Sequence, residues 1–141
     1  MADLSKISLY NRTGSVESSL IKATEVLLSG GQAPLNVAKD VADIQSGITV
    51  SAGSVLLGLE VKTEAAVDVG GAKIDGINLG GTAIFAGLHN ATALNAVTSM
   101  AVMRQVSADT NITIDVDTAG DDWSTATEGS IKIIAYTAAL A

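Results

Sequence analysis

The sequence holds no cysteine, one proline, one histidine and only four aromatic residues (Tyr10, Phe85, Trp123 and Tyr136) among its 141 positions. The missing cysteine excludes disulfides and thiolate metal sites, and with them a disulfide-built scaffold. With so few rings and a single imidazole, there is little from which to line a ligand pocket. Basic residues are scarce as well, 8 against 15 acidic ones, for a net charge of −7. That balance argues against a nucleic-acid binder, whose affinity comes largely from Lys and Arg on phosphate. It favours surfaces that repel one another and stay in solution. No apolar run approaches the ~18 residues of a membrane span. The opening "MADLSKISLYNRTG" lacks the apolar stretch of a signal peptide.

What is there is small and aliphatic. Gly, Ala, Ser, Thr and Val dominate, and 141 residues fit one domain with an arm or tail. From about Ile48 onward the chain reads as strands. In "SVLLGLEVKT", Val55, Leu57, Leu59 and Val61 fall on one face at period two, with Leu56 the one apolar residue out of place. "ITVSAGSV" offers a short strand and a turn at Ala52-Gly53; Gly70-Gly71 is another turn signal, and Asp75-Gly76 marks a bulge or a tight turn. "LNAVTSMAVMRQV" fits a helix or a strand, and its β context favours the strand. The clearest strands come last. Ile112, Ile114 and Val116 alternate with Thr113, Asp115 and Asp117, and Ile131, Ile133 and Ala135 alternate with Lys132, Ile134 and Tyr136. Leu57, Leu59, Val61, Ile112, Ile114, Ile131 and Ile133 are expected to share one core. Many short strands with glycine-rich turns mark an antiparallel β-sandwich or barrel.

Residues 1–46 read differently. "KISLYN" suits a short strand. "SVESSLIKATEVLLSGG" places Val16, Leu20, Ala23 and Leu27 at helical spacing before Gly30-Gly31, yet "LIKATEVLL" also suits a strand. The proline at 34 breaks the chain, and "VAKDVADIQSG" is a polar lead-in. The expected organisation is therefore an N-terminal arm over 1–46 and a β-sandwich over 47–141. The arm holds apolar residues that must find partners, and Leu4, Ile7, Leu9, Tyr10, Leu20 and Leu27 are the candidate interface residues.

Candidate sites for chemistry fare poorly. Asp115, Asp117 and Gly120 match the opening of a calcium loop, but Ala119 stands where an oxygen ligand belongs and Ala126 where the bidentate Glu belongs. Strands rather than helices flank the stretch. Asp115 and Asp117 are expected on a solvent face, free of metal, and Asp121-Asp122 in a turn, where aspartate bonds its own backbone. Trp123 is a sugar platform, a structural plug at one end of the sandwich, or a ring packed at a subunit contact. His89 lacks any nucleophile context. Asp40 with Asp43, and Glu60 with Glu64, are pairs that any acidic protein offers. The glycines of "VGGAKIDGINLGG" form no phosphate-binding fingerprint. No catalytic, cofactor or metal site and no small-molecule substrate is expected.

In order along the chain, "SGITVSAGSVLLGLEVKTEA", "VDVGGAKIDGINLGGTAIFAGL" and "ATEGSIKIIAYTAAL" resemble successive parts of the small decoration, or cement, proteins of tailed-phage heads. The resemblance covers about two thirds of the chain and leaves residues 1–46 unaccounted for. It implies a jelly-roll-like sandwich, a homotrimer, the major capsid protein as partner, a place on the capsid exterior of a virion, and no enzymatic activity. The competing expectation is a glycan- or receptor-binding sandwich that uses Trp123 and the Asp121-Asp122 loop.

Overall fold

A computed structural model describes residues 21–139 of the chain. They form nine strands: β1 (Ile21–Ser29), β2 (Val41–Val50), β3 (Ser54–Ala65), β4 (Lys73–Leu79), β5 (Thr82–Phe85), β6 (His89–Asn90), β7 (Val97–Gln105), β8 (Thr110–Asp117) and β9 (Ser130–Ala139). A single 3-10 turn, Trp123–Thr125, interrupts the last connection. The strands divide into sheet A, in the order β1-β9-β3-β7, and sheet B, in the order β2-β8-β4-β5, with β6 on the far part of β4. Every pairing is antiparallel.

The order is that of a hairpin rolled up along its length. Apart from the two-residue β6, the first strand pairs the last, the second the next to last, the third the next inward, and the fourth turns directly into the fifth. This is jelly-roll topology, an all-β sandwich of two packed sheets. The two-residue turn at the centre needs left-handed backbone at both positions. Gly80 (φ 57°) and Gly81 (φ 86°) supply it between Leu79 and Thr82.

The core lies between the sheets. Ile131, Ile133 and Ala135 of β9 and Leu59 and Val61 of β3 face Ile112, Ile114 and Val116 of β8 and Ile74 and Ile77 of β4, all buried. Six of the seven residues expected in the core are there; the exception is informative. Leu56 is fully buried, whereas Val55 and Leu57 are only half-buried. The register with β9 skips between Leu56 and Gly58. A bulge at Leu57 thus turns the first part of β3 over, and the residue that looks misplaced in the sequence is the one that fills the core. Asp75-Gly76 is likewise a bulge inside a continuous β4, not a turn.

The N-terminal residues correct the expected organisation. β1 is a strand rather than a helix, paired residue for residue with β9 from Ile21↔Ala138 to Ser29↔Ser130. β2 runs through the expected boundary at 46/47 and pairs with β8. Residues 21–46 therefore belong to the sandwich, and of the expected arm residues 1–20 lie outside the described part. In β2 the buried positions are Ile44, Ser46, Ile48 and Val50, at period two. The polar Ser46 hides that alternation. It is satisfied inside the core because its Oγ donates to the Ile112 carbonyl at 2.6 Å and accepts from the Ile48 N–H at 3.2 Å.

The connection after β1 passes close to the one before β9. Gly31 has φ 77°, and a Cβ there would overlap the Ala126 carbonyl oxygen. Leu35 from the same connection is fully buried.

Candidate functional site

The aspartate-rich stretch is woven into the fold. Asp115 and Asp117 lie half-buried on the outer face of β8. Asp115 Oδ1 accepts the Asp43 N–H at 2.8 Å and Asn78 Nδ2 at 3.1 Å. Asp43 itself sits at φ 58°, in a part of β2 where the register with β8 shifts. Asp117 pairs with Lys73 at 3.5 Å and accepts the Thr118 N–H at 2.8 Å. Asp122 Oδ1 accepts the Lys39 N–H at 3.0 Å, and the Asp121 carbonyl accepts Thr118 Oγ1 at 2.6 Å. Each group has a structural task. Asp75 joins this face, and burial first, then the charges of Asp117, Asp115 and Asp40, push its carboxyl above the usual range. No group of three or more metal-ligating side chains comes together among the described residues.

Trp123 is fully buried in the 3-10 turn, and its indole N–H donates to the Asp117 carbonyl at 3.1 Å. The ring closes one end of the core. It is not presented to solvent as a sugar platform would be, so the glycan-binding expectation loses its main residue.

His89 is buried too, between two threonines. Thr63 Oγ1 donates to the Asn90 carbonyl at 3.0 Å and so must accept at its 2.9 Å contact with His89 Nε2. The proton therefore belongs on Nε2, and Nδ1 accepts from Thr98 Oγ1 at 2.9 Å. Burial holds this imidazole below its ordinary range. The arrangement is a satisfied core histidine that ties β3, β6 and β7 together.

Of the candidate interface residues, Leu4, Ile7, Leu9, Tyr10 and Leu20 lie outside the described residues. Leu27 is on β1 with its side chain 57% exposed. It opens onto the feature that sequence reasoning missed, a contrast between the two outer faces. Registers across sheet A align Leu27–Lys132–Lys62–Val97, then Glu25–Ile134–Glu60–Ser99, then Ala23–Tyr136–Gly58–Ala101. At one end the charges neutralise each other, Lys132 lying 3.3 Å from Glu64 and 3.6 Å from Glu25, and Lys62 lying 3.5 Å from Glu64. The rest is apolar or small except for Glu60, whose carboxylate accepts the Tyr136 hydroxyl at 3.4 Å. Gly58 leaves a shallow recess floored by backbone between Tyr136 and Ala101. Among the described residues, the outer face of sheet B carries Asp43, Asp75, Asp115 and Asp117 with Lys73 as the cation beside them. One side of the sandwich is thus acidic and the other nearly neutral and apolar. The alternation of β9 did announce Ile134 and Tyr136 on that second face, but the pairing that places Ala23, Gly58 and Ala101 beside them is a property of the fold.

This jelly roll has a counterpart among solved structures. A chain in the capsid of Ralstonia phage GP4 superposes with a TM-score of 0.55, over 92% of this chain and 92% of that one, at 12% sequence identity. The two chains share a fold. No protein family and no curated protein matches the sequence. At that identity the likeness fixes the architecture, and what this chain does must be argued from its own surfaces.

Proposed function

We propose that the chain is a structural protein of a virion that decorates the outside of a phage head, docking on the lattice of the major capsid protein as a homotrimer. The observation that carries this reading is the asymmetry of the sandwich. An apolar, charge-balanced outer face of the kind sheet A presents is suited to burial against protein, since contiguous exposed apolar surface marks interaction sites. The acidic face of sheet B is suited to solvent and to keeping assembled particles apart. The architecture shared with a phage capsid chain over nearly its full length supports the setting. Leu27, together with Leu4, Ile7, Leu9, Tyr10 and Leu20 of the N-terminal segment, forms part of the contact with neighbours. The role is non-enzymatic and calls for no cofactor.

The test is co-expression with the major capsid protein of the same phage, followed by particle purification. Saturable binding at a fixed ratio per capsid subunit, weakened by Tyr136→Asp or Leu27→Asp and unaffected by Thr49→Lys on the other face, is the expected result. Particles that carry none of the protein, or binding that only the sheet B variant disturbs, would overturn the assignment.

A further inference from the structure

Among the described residues the two sheets end in four edge strands, and an edge strand presents N–H and C=O groups that invite another strand. Three of the four are ill suited to pairing. β2 carries two register shifts, Asp43 at φ 58° and Gly47 at φ 91°. β5 is only four residues long. β7 skips in register between Ala101 and Arg104 and holds Met103 at φ 55°. β1 is the exception. Its nine residues, from Ile21↔Ala138 to Ser29↔Ser130, pair with β9 without a shift, and among the described residues β1 pairs with β9 alone. The strand holds no proline, no glycine and no residue at positive φ.

The orientation of its backbone is fixed where the strand ends. The Gly30 N–H donates to the directly opposite Gly129 carbonyl at 3.0 Å. Antiparallel alternation then turns the backbone of Leu28, Val26, Thr24 and Lys22 toward β9 and directs the N–H and C=O of Leu27, Glu25 and Ala23 away from it. The side chains follow the same period. Ile21, Ala23, Glu25 and Leu27 are exposed on the outer face, while Thr24, Val26 and Leu28 lean inward. Ile21 and Leu27, each 57% exposed, are large apolar residues near the two ends of the strand.

We propose that β1 pairs with β1 of a second copy of the chain, antiparallel about a two-fold axis through Thr24, so that sheet A runs on into that of its neighbour as eight strands. The stretch "IKATEVL" is self-complementary in this register. Ile21 lies opposite Leu27 of the second copy, and symmetry forms that apolar contact twice. Ala23 lies opposite Glu25, where a methyl group leaves room for the longer side chain, and Glu25 is already drawn aside to Lys132 at 3.6 Å. Lys22 covers Val26 with its stem. The two Thr24 side chains meet at the axis as a favourable cross-strand pair. A shift of the axis loses these matches. Through Ala23 it sets Ile21 against Glu25, and through Glu25 it sets two carboxylates directly opposite each other. Charge favours the same meeting place, since each chain carries −7 overall but β1 brings one Lys and one Glu.

A two-fold axis perpendicular to the sheet leaves both outer faces on the same side. The pair therefore presents one continuous apolar face to a common surface. In a hexagonal lattice, three-fold sites are related to their neighbours by two-fold axes, and there such a contact joins one trimer to the next. The inference takes this setting from the assembly reading above, while the pairing itself is tested without it.

The chain has no cysteine of its own, so introduced thiols report contacts cleanly. At a two-fold axis only the central residue meets itself. The two Thr24 positions form a non-hydrogen-bonded pair with Cα atoms about 4.5 Å apart, within the ~4.4–6.8 Å that a disulfide spans. Full-length Thr24→Cys, oxidised as the free protein, is expected to give a covalent dimer and nothing larger. Lys22→Cys and Val26→Cys, each about 13 Å along the strand from its own symmetry mate at ~3.3 Å per residue, should stay unlinked alone and link when mixed. Thr49→Cys on β2 should stay unlinked. Ala23→Pro, which removes an outward N–H and no bond to β9, should abolish the Thr24→Cys link and halve the mass of the assembly in native mass spectrometry, with the circular dichroism spectrum unchanged. If that variant fails to fold, Ala23→Glu, which sets like charges opposite each other, replaces it with the same expected losses. The proposal is overturned if Thr24→Cys links no more than Thr49→Cys, the outcome expected when residues 1–20 of the same chain or a strand of the capsid protein hold this edge. It is equally overturned if Lys22→Cys and Val26→Cys link as well alone as mixed, or if the mass of the assembly survives the folded edge variant. All of these are read on the free protein, so a failed particle assay leaves them readable.

Discussion

Replacing Leu56 and Leu57 separately by alanine tests the bulge that sets which face of β3 enters the core. Leu56 is fully buried, and Leu57, its neighbour on the bulge, is half-buried. Truncating a buried leucine costs about 2–5 kcal/mol, from lost transfer energy and the cavity left behind. Leu57 surrenders only part of the ~1.5–3 kcal/mol that full burial is worth, so about 1 kcal/mol or less is expected. At ~2.1 cal/mol/K of unfolding entropy per residue, 141 residues give about 0.3 kcal/mol/K, and a loss of 3 kcal/mol lowers the melting temperature by about 10 degrees. Buried Trp123, the single tryptophan, provides the signal, since its fluorescence shifts when unfolding exposes it. Urea titrations of the two variants should separate widely, Leu56→Ala far below the parent and Leu57→Ala close to it. Strict period-two alternation puts Leu57 inside and Leu56 outside. If Leu57→Ala costs as much as Leu56→Ala or more, the bulge is misplaced and the face assignment of β3 with it.

The pH dependence of stability follows from His89. The unfolded chain takes up a proton near pH 6.5 that the buried imidazole resists, so stability is full above that value and declines as the pH falls below it. Urea midpoints at pH 7.5 and 5.5 should show the decline, and His89→Leu should remove that component of it. Asp75 works in the opposite sense. Its carboxyl is raised above the usual range, so Asp75→Asn should increase the melting temperature at pH 7, with the gain vanishing once the wild-type carboxyl is protonated in acid. Gly31→Ala combines an unfavourable backbone with overlap on the Ala126 carbonyl, and a loss of about 1–3 kcal/mol in denaturant titration is expected. Millimolar calcium should leave the melting temperature unchanged to within a degree; a rise of several degrees that Asp117→Ala abolishes would reinstate the calcium loop.

Where side-chain chemistry and strand period agree, the fold is legible in the sequence. β8 and β9 bury Ile112, Ile114 and Val116 and Ile131, Ile133 and Ala135 at period two, and both fall where the pattern puts them. The failures share one physical origin, namely local departures from period two that only pairing reveals. The bulge at Leu57 inverts a face, Ser46 puts a hydroxyl where the pattern calls for a hydrocarbon, and in β1 the adjacent Leu27 and Leu28 fit a helix as well as a strand. Ser46 in particular concealed β2, and with β2 hidden the boundary fell at residue 46, inside a strand. The placement of the aspartate stretch on the outer face of β8 and in the turn after it was legible from the alternation and the turn chemistry. The outer face of sheet A was not, since it draws on four strands that lie far apart in sequence and meet only through the rolled topology.

That topology also has a consequence for how the protein is made. Ile21 must find Ala138, and Val41 must find Val116, before either outer strand is held in place. Contacts this distant along the chain slow folding, because the closure entropy of the whole intervening loop comes before any reward. On the ribosome β1 emerges well before β9 and waits, with its side chains uncovered, until β9 follows. The innermost hairpin, β4 with β5, is the one pairing that forms locally, which makes the turn at Gly80-Gly81 the natural starting point of folding. A nascent chain halted before β9 would hold an unpaired β1 and an open core, and is the species from which aggregation would start during overexpression.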